Sequence, residues 1–310
     1  MVDTLPPEFS GRAFTAAQAL RRGVSRERLR RRDIVALGSG VYARRGLAAA
    51  QTPFGTLQLK AAALLGDHPG MWLSHVSAAR LHGLWLPDRV LRDQRVHLSF
   101  PAASDLRARR SGICGHRVSV RPEDVVERSG VRLSSPARVW LDVAGLCSVG
   151  ELIILGDQLV RRPYPKFDGR SKAHATIQEL QALLDHSHGA PGRRRCLAAL
   201  GSIRMGSDSV QETLLRLALV RAGLPEPELQ VPAQPGRRSS PRADLGYPAW
   251  KIAIQYEGDT HFTPVQQRAD QRRDNVFLAA GWLVLRFNLE DSREGFAQAA
   301  EQVRAAIARR

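Results

Sequence analysis

The chain has 310 residues, with 46 Lys and Arg against 30 Asp and Glu, a formal charge of +16; at about 100–200 residues per domain this predicts two or three domains. Hydrophobic residues at 43% and charged residues at 25% exclude a disordered or collagen-like chain, and three widely spaced cysteines (Cys114, Cys147, Cys196) without a C-x-x-C argue against a disulfide framework or a cysteine zinc site. The longest apolar run, Phe277 to Val284, falls far short of the roughly 20 residues that span a bilayer, and the first residues lack the layout of a signal peptide, so a cytoplasmic protein without membrane contact is expected.

The charge is unevenly spread. Residues 1–206 carry a net +15 and residues 207–310 a net +1, and 42 of the 46 basic residues are arginine. Arginine bias also follows from a GC-rich genome and a solvated surface. Its concentration in the first two-thirds fits a part that holds nucleic acid by its phosphates and a second part with another task.

In chain order, Phe14 to Leu20 reads as a short helix, Gly23 as a turn, and Arg26 to Arg32 as a second helix opened by Ser25 as N-cap. Leu37-Gly-Ser-Gly-Val41-Tyr42 reads as a tight β-hairpin. Residues 1–48 are thus expected to form a winged helix-turn-helix DNA-binding domain. Arg26, Arg28, Arg30, Arg31 and Arg32 would lie on its recognition helix, where phosphates and base edges are met.

Residues 49–190 alternate helical and strand-like patches. Thr56 to Leu65 has helical spacing, and Ser74 to Gly83 is a helix with a serine cap and a glycine stop. Val96 to Phe100 and His116 to Val120 alternate as strands, and Ser135-Pro136 opens a helix over Ala137 to Leu146. His75 and His82 are seven residues apart. A metal pair on a helix takes a spacing of three or four with a third ligand nearby; none is visible, and both are read as packing or capping histidines. His186 to Arg195 reads as a solvated linker. The succession of helix-turn-helix, wing, SHVSAARLHGLW, VHLSFP and SSPARVWLDVAG is similar to the AbiEi-type antitoxins of bacterial type IV toxin–antitoxin systems. That resemblance implies a winged-helix regulator with a further mixed α/β domain.

The last hundred residues carry the chemistry. Ser209 to Ala222 is a helix with Glu212 in its first turn, ended by Gly223. Arg242 to Tyr247 and Trp250 to Glu257 read as two strands facing each other across a Tyr-Pro turn. Alternation sends Gln255 and Glu257 to one side, and antiparallel pairing brings Asp244 to the same end. Asp244, Gln255 and Glu257 are then a cluster of oxygen donors, with Glu212 able to join. Such a set suits Mg²⁺ or Mn²⁺, hard ions that take carboxylate oxygens and a substrate phosphate and that lower the pKa of an attacking water. His261 is placed to bond a phosphate or shuttle a proton. Asp270, Arg273, Asp274 and Phe277 share a face of the next helix, Pro264 to Ala280. Gly281 to Phe287 is a buried strand, and Arg293 to Ala308 a closing helix.

This order of elements, with ETLLRLALVRAGLP, Arg242-x-Asp244, AIQYEG, His261, DQRRD and GWLVLRF, resembles the PD-(D/E)xK nuclease core over residues 205–310, most closely the Vsr-like endonuclease domains. The resemblance implies a metal-bound aspartate at Asp244, an acidic partner at the Gln255 or Glu257 positions, and phosphate or structural roles for His261, Asp270 and Arg273. Here Ile254-Gln255-Tyr256-Glu257-Gly258 stands where that family most often has I-E-Y-D-G, so one carboxylate is an amide and the other reaches one methylene further. Neither position holds the lysine of the generic motif.

The sequence therefore predicts a mixed α+β and α/β protein in three parts: a winged helix, an AbiEi-like α/β domain, and a PD-(D/E)xK core. Its expected activity is Mg²⁺-dependent hydrolysis of duplex DNA. The expected catalytic set is Asp244, Gln255, Glu257, His261, Glu212 and Asp270; Arg273 joins the N-terminal arginines on nucleic acid, and no organic cofactor is expected. The alternative is a non-enzymatic, antitoxin-type transcriptional regulator with a degenerate nuclease fold; an RNA substrate or ligand fits the same residues. The sequence names neither a cognate toxin nor an oligomeric state.

Overall fold

The computed structural model describes residues 4–106, 110–258 and 264–310. The protein is α+β, with three separate sheets. Its contacts divide it into two compact units: Met1–Leu155 with Ala175–Gly201, and Gly156–His174 with Ser202–Arg310. The units are not those drawn from sequence. Residues 1–48 and most of 49–190 fall in one body, while residues 156–174 join the C-terminal part. No helix among the described residues is long and apolar enough to cross a membrane.

The first unit opens with a three-stranded antiparallel sheet of β1 (Phe14–Thr15), β2 (Ile34–Gly38) and β3 (Val41–Arg44), in the order β1-β3-β2. The expected hairpin is there. Ser39 and Gly40 both have positive φ, +57° and +69°, as a two-residue loop between twisted strands requires. The first helix runs Ala16–Arg21 behind a Thr15–Gln18 capping box. The expected second helix is only one 3-10 turn, Arg28–Arg30. Ser25 does accept the Arg28 N–H at 3.1 Å, so the start signal is obeyed. The turn ends where Arg31 goes extended, and the Arg28 guanidinium closes on Asp33 in a bidentate pair of 2.8 and 2.7 Å.

The same unit holds a five-stranded sheet of β4 (Trp72–Leu73), β5 (Val96–Pro101), β6 (Ile113–Val118), β7 (Val125–Arg128) and β8 (Val131–Ser134), in the order β6-β5-β4-β8-β7. β5 and β6 are parallel, and β6 is an edge. The helix Pro136–Asp142 begins as expected, with Ser135 accepting the Arg138 N–H at 3.2 Å and proline at its first position. Ser74 does not cap the helix His75–His82 that follows it. Its hydroxyl instead accepts from Ser99 Oγ at 2.7 Å and lies 3.0 Å from His75 Nδ1.

The stretch expected to be a linker is built into the body. Ile177–Asp185 and Arg193–Leu200 are helices. Arg195 Nη1 donates to the carbonyls of Ala144, Gly145 and Cys147 at 3.0–3.3 Å, filling acceptors left open just past the helix Pro136–Asp142. Gly192, at φ +80°, lies so close that a Cβ there would meet the Ala144 carbonyl carbon at 2.6 Å.

The second unit is organised by a four-stranded sheet of β9 (Glu228–Pro232), β10 (Arg242–Tyr247), β11 (Ile252–Tyr256) and β12 (Leu283–Phe287), in the order β12-β11-β10-β9. β9, β10 and β11 run antiparallel, and β12 joins β11 in parallel after the helix Pro264–Ala279. Alternation along β11 divides the core. Ile252 and Ile254 pack with Leu215 and Leu219 of the helix Val210–Arg221 and with Val303 of the helix Ala297–Ala308. Ala253 packs on the other face with Phe277 and Trp282. The single closing helix expected from sequence is two, Leu289–Arg293 and Ala297–Ala308, separated by Gly295 and Phe296, both at positive φ.

Candidate active site

The register of the hairpin decides which side chains meet. Leu245 stands opposite Ile254 and Tyr247 opposite Ile252, and one step further the same register sets Asp244 opposite Gln255. β12 then sets Arg286 beside Gln255. Asp244, Gln255 and Arg286 form one row across three strands. At its end the Tyr256 N–H donates to Asp244 Oδ2 at 2.8 Å.

Glu212 comes to this end from the first turn of its helix. Its N–H is capped by Ser209 Oγ at 3.2 Å, its Oε1 accepts the Ser209 hydroxyl at 2.9 Å, and its Oε2 accepts the Asp208 N–H at 2.8 Å. Burial, and then the charge of Asp244, push the Glu212 carboxyl up to about 7. Burial also raises Asp244, against the Tyr256 N–H and the nearby Arg273 and Arg286. Two carboxyls thus share one end of the unit with less positive charge than would hold both ionised. Gln255 is 1% exposed, and its Nε2 has no hydrogen-bond partner. A buried amide donor without a partner is the kind of exception that native structures otherwise avoid.

The other expected residues are placed differently. Glu257 is not an open ligand: its Oε1 is held by Arg286 Nη1, while Arg286 Nε also donates to Asp274 Oδ2 at 3.0 Å. Asp270 pairs with Arg273 at 2.7 Å. His261 lies outside the described residues. Among those described, Glu212, Asp244 and Glu257 do not gather three carboxylate oxygens within 4.8 Å of one another. Beside Glu212, Asp208 lines a cavity of about 350 Å³ with Arg162, Tyr164, Met205, Gln230 and Arg242.

Of the N-terminal arginines, Arg28 is buried against Asp33, which removes it from the expected contact set. Arg26, Arg30, Arg31 and Arg32 are exposed.

Sequence reasoning passed over a second group. His75, His97 and His116 bring a ring nitrogen each within 4.8 Å of one another, and no other such trio of His, Cys, Asp or Glu occurs among the described residues. His97 Nδ1 lies 3.0 Å from His116 Nε2, and the His75 and His116 rings stack with centroids 3.5 Å apart. Burial lowers all three, His97 to about 4 and His116 to about 3. The three come from a helix start and two strands, so no spacing rule joins them. The available signal was a histidine on each of two neighbouring strand patterns, VHLSF and HRVSV.

No known family model matches the chain. It is 29% identical over 106 residues to the uncharacterized protein MT2308 of Mycobacterium tuberculosis strain CDC 1551 / Oshkosh, covering 33% of this chain and 39% of that protein. The uncharacterized protein Rv2248 of strain ATCC 25618 / H37Rv matches to the same extent. The chain thus spans about two fifths of the length of the curated relatives it matches. Among solved structures it is similar to the RV2827C protein of Mycobacterium tuberculosis, with a TM-score of 0.39 and 19% identity over 71% of this chain and 79% of that one.

Proposed function

We propose that the protein binds DNA and that its second unit is a PD-(D/E)xK-type, divalent-metal-dependent endonuclease. The observation that carries this reading is the row of Asp244 and Gln255 across an antiparallel hairpin, met by Glu212 at the same end. The sheet supports it: an antiparallel trio extended by a parallel strand after a helix has the element order of that nuclease core.

The donor set suits Mg²⁺ or Mn²⁺. Burial opposes the ionisation of both Asp244 and Glu212, and the charge of Asp244 opposes that of Glu212 further, a conflict that a divalent cation relieves. A half-turn of the Gln255 amide exchanges its oxygen and nitrogen and puts an acceptor for the same ion where the orphaned donor stands. Asp244, Glu212 and Gln255 would hold it. Once bound, the metal lowers the pKa of the attacking water and neutralises charge on the phosphate. The chain's own contribution is positive charge from Arg273 and Arg286 beside Asp244, and a Glu212 carboxyl that ionises near neutrality, so cation affinity rises with pH through about 7. Arg162 and Arg242 on the adjoining cavity suit a phosphate backbone. The exposed Arg26, Arg30, Arg31 and Arg32 supply phosphate contacts in the first unit.

Supercoiled plasmid and purified protein, with and without Mg²⁺ or Mn²⁺, test the reading. Asp244→Asn keeps the shape and removes one ligand charge. It is expected to lower cleavage on the order of 10²–10³-fold and to leave duplex binding intact; cleavage at the wild-type rate overturns the assignment. The second reading, a non-enzymatic regulator of antitoxin type, is favoured by the Glu257–Arg286–Asp274 pairing and by the neutral Gln255. Duplex binding without cleavage in either protein selects it.

A further inference from the structure

We propose that His75, His97 and His116 form a binding site in the first unit for a divalent first-row transition ion of the zinc class. The site is separate from the carboxylate row and does not depend on the nuclease reading.

The ligand chemistry selects the ion. Three imidazole nitrogens are a donor set for Zn²⁺ and its neighbours, whereas Mg²⁺ and Ca²⁺ take oxygen. Two nitrogens on a tetrahedral zinc, each about 2.0–2.1 Å from it, stand roughly 3.3 Å apart, and His97 Nδ1 and His116 Nε2 are 3.0 Å apart. They need to part by only a few tenths of an ångström. His75 must turn from its stack on His116 to bring its free nitrogen, Nε2, to the centre.

The outer nitrogens make the stronger case. Ligating histidines commonly direct their second nitrogen at a carboxylate, which fixes the tautomer and raises the basicity of the ligating one. His97 Nε2, on the far side from His116, is buried without a hydrogen bond and lies 3.2 Å from Asp93 Oδ2. His75 Nδ1 lies 3.0 Å from Ser74 Oγ and 3.9 Å from Asp142 Oδ2. Both carboxylates are themselves fixed, Asp93 by Arg95 at 2.7 Å and Asp142 by Arg138 at 2.7 Å and Ser134 at 2.8 Å. His97 thus faces His116 with one nitrogen and a fixed carboxylate with the other, and His75 has a fixed carboxylate on the side of the nitrogen that would not ligate.

His75 also has a backbone φ of +49°. The left-handed region is uncommon for a residue with a side chain, and such conformations gather at functional sites. Here it lies at the first residue of a helix whose N-cap serine is turned into the same network. His116 is half-buried on the edge strand, which gives an ion a way in. Three protein nitrogens leave the fourth tetrahedral position to water or to an incoming ligand.

The full chain, stripped with a chelator, is titrated with Co²⁺ by visible absorption and with Zn²⁺ by calorimetry. Wild type and Asp244→Asn are both expected to take a Zn²⁺ at the histidines and to give the intense Co²⁺ bands of a tetrahedral site. His97→Gln/His116→Gln is expected to bind at least a hundredfold more weakly, and Asp93→Asn ten- to a hundredfold more weakly. Absence of binding in wild type, or unchanged binding in the double variant, overturns the site. Where the double variant fails to fold by circular dichroism, imidazole NMR of wild type decides. Zn²⁺-induced shifts on His75, His97 and His116 support the site, and no shift on them overturns it. A Zn²⁺ signal lost in Asp244→Asn but kept in the histidine variants assigns the ion to the carboxylate row and also overturns it.

Discussion

Asp244 sets the ionisation of Glu212: after burial, the Asp244 charge is the largest influence that lifts the Glu212 carboxyl to about 7. The two residues are far apart in sequence, and each is held by backbone N–H groups, from Asp208 and Tyr256 respectively. The pair is fixed in place while one member is kept short of full charge. An ion-free protein at neutral pH therefore carries an electrostatic penalty at this end of the sheet.

The penalty has a sign that can be measured. Glu212 has a folded pKa raised above its ordinary 4.5, so the folded state holds the proton more tightly than the unfolded one. Its contribution to stability is full below about pH 4.5 and falls as pH rises to about 7. Glu212→Gln removes this titration. Across pH 4.5–8 in urea, the unfolding free energy of the variant relative to wild type is expected to shift in the variant's favour by on the order of 2–3 kcal/mol as pH rises. The three histidines titrate with the opposite sign, so the difference between the two proteins is the readout. A constant difference across that range would contradict the coupling.

Arg216 is buried with Asp157, 2.8 Å away, and also holds Glu226 at 2.7 Å and the Ser202 carbonyl at 3.0 Å. Arg216→Met is expected to cost about 3–5 kcal/mol, because it strands a buried carboxylate. Adding Asp157→Leu is expected to recover part of that loss. Additive losses in the double-mutant cycle would mean that the pair does not act as one unit.

Gly192 leaves no room for a methyl group. Gly192→Ala combines a left-handed backbone with a Cβ 2.6 Å from the Ala144 carbonyl carbon. A loss of about 2 kcal/mol or more is expected in urea melts. Gly169, at φ +62° with nothing near its missing Cβ, is the control, and Gly169→Ala is expected to lose only about 1 kcal/mol.

The N-terminal arginines separate by their partners. Under the DNA-binding proposal, neutralising Arg30 or Arg32 is expected to weaken duplex binding at all sequences and to lower the salt slope by about one each. Arg28→Ala is expected to leave the slope unchanged and to lower stability, since its guanidinium is committed to Asp33. A loss of slope with Arg28→Ala alone would show that the pair opens on DNA.

The readable parts of the sequence were those governed by local rules. Ser25, Ser135 and Ser209 accept the N–H three residues on, as cap positions should, and Ser39-Gly40 turns the first hairpin. Strand alternation and the Tyr-Pro turn were enough to bring Asp244 and Gln255 together. What failed was decided at a distance. The expected Arg26–Arg32 helix ends at Arg30, where the backbone goes extended, and Arg28 is spent on Asp33. The supposed linker was held by Arg195 reaching the carbonyls of Ala144, Gly145 and Cys147, and Glu257 was taken by Arg286, 29 residues later in the chain. Arginine was the common agent. Its long side chain, with five donors, finds partners that no local pattern records.

The chain passes between its two units three times, and residues 156–174 are counted with the C-terminal one. That loan includes Asp157, the counter-charge of Arg216, and Tyr164, whose hydroxyl donates to Asp208 at 2.7 Å. A gene fragment cut at residue 205, where the sequence alone draws the boundary, would encode the whole carboxylate row yet omit Asp157, one of the two anions paired with the buried Arg216 guanidinium. The C-terminal unit is therefore not a cassette that begins at residue 205. Transfer by shuffling would require both stretches to move together, or a new acid to arise where Asp157 had been.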